Sequence, residues 1–183
     1  MSLTAEAKAA LDDVIQKKGY TDYQWIEPHK IITAQWVRMK CMFGCNGYGN
    51  CAACPPNTPS LEDCERFFSE YEDAIILHFT GTMDQPEERH NWSKKINARL
   101  VKLERDVFLA GYERAFILFM DSCCFCKECS GTRETCLEPR MARPSPESMC
   151  VDVYSTVRQF DFPLNVRTDF DQQMDRYAFL MVH

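Results

Sequence analysis

Three thiols fall within seven residues at Cys123, Cys126 and Cys129, in a C-x2-C-x2-C run, and Cys136 follows after six intervening residues. This spacing brings three sulfurs to one short loop, as when three corners of an iron–sulfur cubane are held by one turn. A second stretch comes earlier: Cys41, Cys45, Cys51 and Cys54, with glycines at 44, 47 and 49 and Pro55-Pro56 directly after. Glycine lets backbone N–H groups approach sulfur closely. Zinc is the main rival metal. Zinc ribbons and fingers usually present two ligand pairs about a dozen or more residues apart, which the 123–129 run does not resemble. One or two iron–sulfur clusters, of the [4Fe-4S] type, are therefore expected, with zinc as the alternative.

The grouping of ligands stays open at this level. Cys123, Cys126, Cys129 and Cys136 can close one site, leaving Cys41, Cys45 and Cys54 for a second, with Cys51 available as its fourth. Alternatively the sets cross over and Cys54 joins Cys123, Cys126 and Cys129. A cluster with three thiolates leaves one iron open, which favours chemistry over electron relay. Lys40, Arg140 and Arg143 are candidates to neutralise an anionic cluster, and Tyr48 to hydrogen-bond beside it or simply pack. Cys64, on the apolar face of an expected helix, reads as a core thiol. Cys124 neighbours a ligand but is expected to point elsewhere, and Cys150 reads as structural.

The elements that must carry these loops follow from periodicity. Thr4 to Lys18 reads as a helix with Ala7, Leu11, Val14 and Ile15 on one stripe, stopped by Gly19. Ile31 to Lys40, rich in β-branched and aromatic residues, reads as a strand running into Cys41. A helix is expected from about Pro59 to Tyr71, capped by Thr58 or Ser60. Ala74 to Phe79 and Ala115 to Met120 are continuous apolar strands flanking a long helix from Pro86 to about Ala110. Strand, helix, strand predicts a parallel βαβ unit. Ser145 is expected to cap a helix carrying Met149, Val153, Val157 and Phe160. Leu164 to Arg167 and Arg176 to Val182 read as closing strands. Glu87 and Glu88 place negative charge at the start of the long helix, and Asp169 to Asp175 reads as a solvated turn. The fold class expected is a single α/β domain over 1–183: an N-terminal helix and connection over 1–30, and a core over 31–183. Its mostly parallel sheet has flanking helices, and both cysteine loops lie at the carboxyl edge beside helix starts.

The chain has 183 residues, 45% of them hydrophobic and 26% charged, as in a globular protein with a real core. A net charge of -6 and a pI near 5.3 argue against a nucleic-acid partner. No apolar run reaches the roughly 20 residues that span a bilayer, and the N-terminus does not read as a signal peptide. Eleven cysteines clustered locally in such a chain read as reduced thiolates holding metal rather than as an exported disulfide framework, so a cytoplasmic location is expected. His29, His78, His90 and His183 are scattered, and His78, within an apolar strand, reads as a satisfied core histidine. No Ser-His-Asp, GxGxxG or P-loop pattern is present, and no catalytic residue is assigned.

Several segments together resemble a family of predicted metal-binding proteins, a domain of unknown function in anaerobic bacteria and archaea. They are Lys40-Cys41-x3-Cys45-x2-Tyr48-Gly49, Cys54-Pro55-Pro56 with Thr58-Pro59-Ser60, the 123/126/129 run, Cys136, Ala142-Arg143-Pro144-Ser145, Glu147 and Val151-Asp152-Val153. The resemblance covers about residues 36 to 182, and Cys51, Cys64, Cys124 and Cys150 stand outside its pattern. It implies cysteine metal ligation and iron–sulfur chemistry without supplying a reaction. The expected function is an intracellular iron–sulfur protein moving electrons or doing redox chemistry in anaerobic metabolism, with a redox protein as partner and no specified small-molecule substrate. The alternative is a zinc-stabilised structural or binding module. An enzyme would need a pocket beside the cysteines lined by Tyr48, Arg140 or Arg143.

Overall fold

The computed structural model describes residues 2–83, 85–169 and 172–183, without the side chains of Pro86 and Glu87. The charge expected of Glu87 and the centre of the 169–175 turn therefore lie outside the described residues. Helix α1 (Ala5–Lys17) starts at Thr4, whose hydroxyl accepts the Ala7 N–H at 3.2 Å, and turns Leu11 and Ile15 inward. Strand β1 (Tyr23–Ile26), helix α2 (Gln35–Gly44), helix α3 (Leu61–Ser69), strand β2 (Ala74–Gly81), helix α4 (Pro86–Leu109) and strand β3 (Phe116–Leu118) follow. A 3-10 turn at Glu147–Met149, helix α5 (Val153–Arg158) and strand β4 (Met174–Met181) complete the order. Ser60 caps α3 as expected, its hydroxyl accepting the Asp63 N–H at 3.1 Å.

The expectation of a mostly parallel sheet is overturned. Among the described residues the four strands lie in the order β1-β2-β4-β3, and every neighbouring pair is antiparallel. Both β2 and β3 oppose β4, so they do run in the same direction, joined by α4, but β4 is inserted between them. Continuous apolar sequence in β2 and β4 reports burial on both faces, which here comes from helices on either side and not from strand direction. Ile75, Leu77, Ile117, Ala178 and Leu180 pack under α1 and α4. Ala74, Ile76, Leu118, Phe179 and Met181 pack on the other face against Cys64 and Phe68 of α3 and Val153 and Val157 of α5.

Three further expectations are corrected. Ile31 to Lys40 is no strand: α2 begins at Gln35, burying Val37 and half-burying Arg38 and Cys41, a helical spacing. Helix propensities are weak enough for such tertiary burial to override them. The helix expected from Ser145 breaks at Cys150, whose φ is 62°, and restarts at Asp152, which accepts the Ser155 N–H at 3.0 Å. The break has a tertiary cause: the Cys150 carbonyl takes the Ala34 N–H at 2.9 Å and the Asp152 N–H goes to Ile32 at 2.8 Å. Leu164 to Arg167 joins no ladder, while β1, absent from the expected elements, pairs with β2.

Candidate metal centre

The two cysteine loops do meet, but the structure that brings them together is not a shared carboxyl edge. The first loop hangs from the C-terminus of α2, the negative end of that helix dipole, which offers an anion nothing. Arg38 on α2 fixes its far end by donating to the Thr58 hydroxyl at 2.8 Å, the Pro59 carbonyl at 2.7 Å and the Cys150 sulfur at 3.1 Å. The second loop leaves β3 through Asp121. Arg89 clasps that carboxylate with two bonds of 2.8 Å, Ser93 adds one of 3.0 Å, and the Ser122 N–H one of 2.9 Å. Burial pushes the Asp121 carboxyl up, but Arg89 outweighs it and holds it below the usual range. Asn97 donates to the Ser122 carbonyl at 3.4 Å and Lys94 to the Phe125 carbonyl at 2.8 Å, so one polar stripe of α4 carries the loop.

Across the junction, Asn57 Nδ2 reaches both the Cys51 carbonyl at 3.1 Å and the Gly131 carbonyl at 2.8 Å. The Ala52 N–H points at the Cys129 sulfur at 3.3 Å. Six cysteines, Cys51, Cys123, Cys124, Cys126, Cys129 and Cys136, line one cavity here, with about 30 Å³ of open room. The partner that the first loop sends into it is Cys51. Cys54 is not in that lining but packs beside Cys51 in a small cluster against Cys123, its sulfur 3.7 Å from the Ser148 hydroxyl. Cys124 also reaches this wall, its sulfur 3.9 Å from the His90 carbonyl. Cys41 and Cys45 line a second, larger cavity with Lys40. All eleven cysteines are free thiols, and among the described residues no three Cys, His, Asp or Glu side chains converge closely enough to hold one ion.

The thiols are electrostatically unequal. Cys51 is drawn down to about 6, chiefly by a hydrogen bond from the Cys54 thiol, against its burial, with help from the Ala53 N–H and Cys129. Cys54 is pushed up by the same bond and by burial. Burial raises Cys123 and Cys64 to about 12 each. Cys64 is wholly buried in the second core. Of the cationic and aromatic candidates, Lys40 is exposed beside Cys41, and Tyr48 is half-buried with its N–H on the Cys45 carbonyl at 3.2 Å. Arg143 is committed to Glu104, whose carboxylate also accepts the Ile117 N–H of β3 at 2.8 Å; Arg140 contributes a carbonyl to Arg143 at 3.2 Å. His78 is a satisfied core histidine, held by Asp22 at 2.7 Å and Asp175 at 3.0 Å and stacked on Tyr177.

The residues that sequence reasoning passed over are the clamps: Asn57, and Arg89, Ser93 and Asn97 on α4. Their signal was available, because polar side chains at a spacing of four on a long helix, facing an Asp at the end of an apolar strand, mark one bonded face.

Fold and site together define a cysteine-rich protein whose two thiol-bearing loops meet. The chain belongs to the family described as "Predicted metal-binding protein (DUF2284)", which matches residues 24–182. No curated protein and no solved structure matches it. Among the described residues no helix is long and apolar enough to cross a membrane.

Proposed function

We propose that the two loops hold an iron–sulfur cluster of the [4Fe-4S] type, used for electron transfer or redox chemistry in a reducing, cytoplasmic setting with a redox protein as partner. The observation that carries this reading is the wall of thiols from both loops around one cavity. Zinc is complete with four ligands, whereas the C-x2-C-x2-C run is a cluster-binding spacing. Four of Cys51, Cys123, Cys126, Cys129 and Cys136 would hold this group, and Cys41, Cys45 and Cys54 would hold a second. A bound cluster supplies one-electron transfer. The chain's own part is to fix the sulfurs through the N–H groups of Ala52 and Ala53 and to surround them with Ala142 and Phe125.

A zinc-held binding module is the second reading, and the small room between the loops favours it, since a cubane needs them to part. Protein prepared and reconstituted without oxygen decides between the two. Iron with matching sulfide and broad absorbance near about 400 nm supports the cluster. Stoichiometric zinc with no iron taken up replaces it with the second reading.

A further inference from the structure

The larger cavity is lined from α2, the 3-10 turn and β4, shares no lining residue with the cavity of the 123–136 thiols and has a volume of about 290 Å³. That is the lower end of the size range of small-molecule sites. Its walls are largely apolar and aromatic, with Trp36, Tyr154 and Tyr177 among them. Tyr177 is a fixed wall, stacked on His78 at 4.8 Å between ring centres. Arg176 also lines this cavity, and its Nε is buried with no hydrogen-bond partner. Among the described residues no ion pair engages its guanidinium. Of the carboxylates nearby, Asp121 is committed to Arg89 and Asp175 to His78. Glu147, in the same wall, feels the Arg176 charge but makes no ion pair with it, and burial pushes its carboxyl up, away from the charged form. A buried donor without a partner is costly unless something fills it.

We propose that this cavity binds a small organic carboxylate with an apolar or aromatic body, its charge received by Arg176 and its body held between Trp36, Tyr154 and Tyr177. Lys40 at the rim adds a second positive charge. Glu147, which also lines the cavity, disfavours a second carboxylate on the ligand by like charge, so a monoacid fits better than a diacid. Cys41 and Cys45 form one wall, so on the metal reading the ligand lies beside the second thiol group. The cavity itself does not depend on that reading.

Phenylacetate and its neutral isostere phenylacetamide are the probes, titrated into the full chain with tryptophan fluorescence and calorimetry as readouts. Phenylacetate is expected to bind with a Kd below about 1 mM, and phenylacetamide about tenfold or more weaker. Arg176→Gln should abolish the preference for the acid at unchanged thermal midpoint and metal content. If that variant does not fold, Arg176→Lys serves: it keeps the charge, loses Nε, and should bind the acid more weakly while still preferring it. Equal binding of acid and amide, no binding of either, or an Arg176 variant that folds and keeps wild-type affinity for the acid each overturns the proposal. Iron, sulfide and zinc are measured on the same samples. A chain free of all three defeats the metal reading and leaves the acid-over-amide comparison to judge the cavity alone.

Discussion

The sheet and the cysteine loops are built by different means. Strands β2 and β4 pair over eight residues and are buried on both faces, so backbone ladders and apolar contacts hold them. The stretch from Ser122 to Pro144 has no helix or strand and is tied to the rest by single bonds from Lys94, Asn97 and Asn57 and by the Arg143–Glu104 ion pair near its end. A region held by many cooperative apolar contacts resists local opening, whereas one held by a few polar bonds opens easily unless a ligand closes it. The thiols therefore lie in the part of the molecule that gains most from a bound metal.

Metal removal tests this contrast most strongly. With metal stripped by chelator, amides over 122–144 should exchange at least about 100-fold faster while β2 and β4 keep their protection, read by hydrogen exchange. If the strands lose protection together with the loops, the two regions form one unit and the contrast fails. Next in size is Leu100→Ala, beneath the sheet and wholly buried. It should lower unfolding stability by about 3 kcal/mol with metal stoichiometry unchanged.

Asp121→Asn strikes the joint between the regions and should cost about 2 kcal/mol, since Arg89 is left partly buried and unpaired. The pH dependence has a definite sign. The Asp121 carboxyl is held below its ordinary value by Arg89 against the effect of burial. Its stabilisation is therefore complete above the unfolded carboxylate value, about 4, and disappears as pH falls through the lower folded value. Urea midpoints from neutral to acid pH should fall steeply below about pH 4 in the native chain and less steeply in Asp121→Asn. The smallest effect is that of Asn57→Ala, which removes the bonds to Cys51 and Gly131. It should weaken loop docking by about 1 kcal/mol, seen as metal loss to a competing chelator about fivefold faster.

Periodic elements were legible in the sequence. The stripe of Ile96, Leu100, Leu103 and Val107 and the runs at Ala74 and Phe116 lie in the elements where their spacing puts them. Strand direction was not legible, because Ile75 and Ile76 are both buried whether their neighbours run up or down. Nor was α2, where Trp36 and Val37 favour a strand locally but Val37 is the position that docks. For the site, the two loops and their thiols could be singled out from spacing. That Cys51 and not Cys54 reaches the cavity of Cys123 could not, because three residues of loop turn either sulfur to either side.

Residue spacing alone was enough to mark this chain as a thiol-rich metal binder, since short-range spacing decides which sulfurs share a turn. Where those turns meet, and the unpartnered Nε of Arg176 in the larger cavity, depended on β4 entering between β2 and β3 and on α2 docking against the turn at Glu147. Those are contacts between residues at least 61 positions apart, and no local pattern encodes which distant surface a segment will bury.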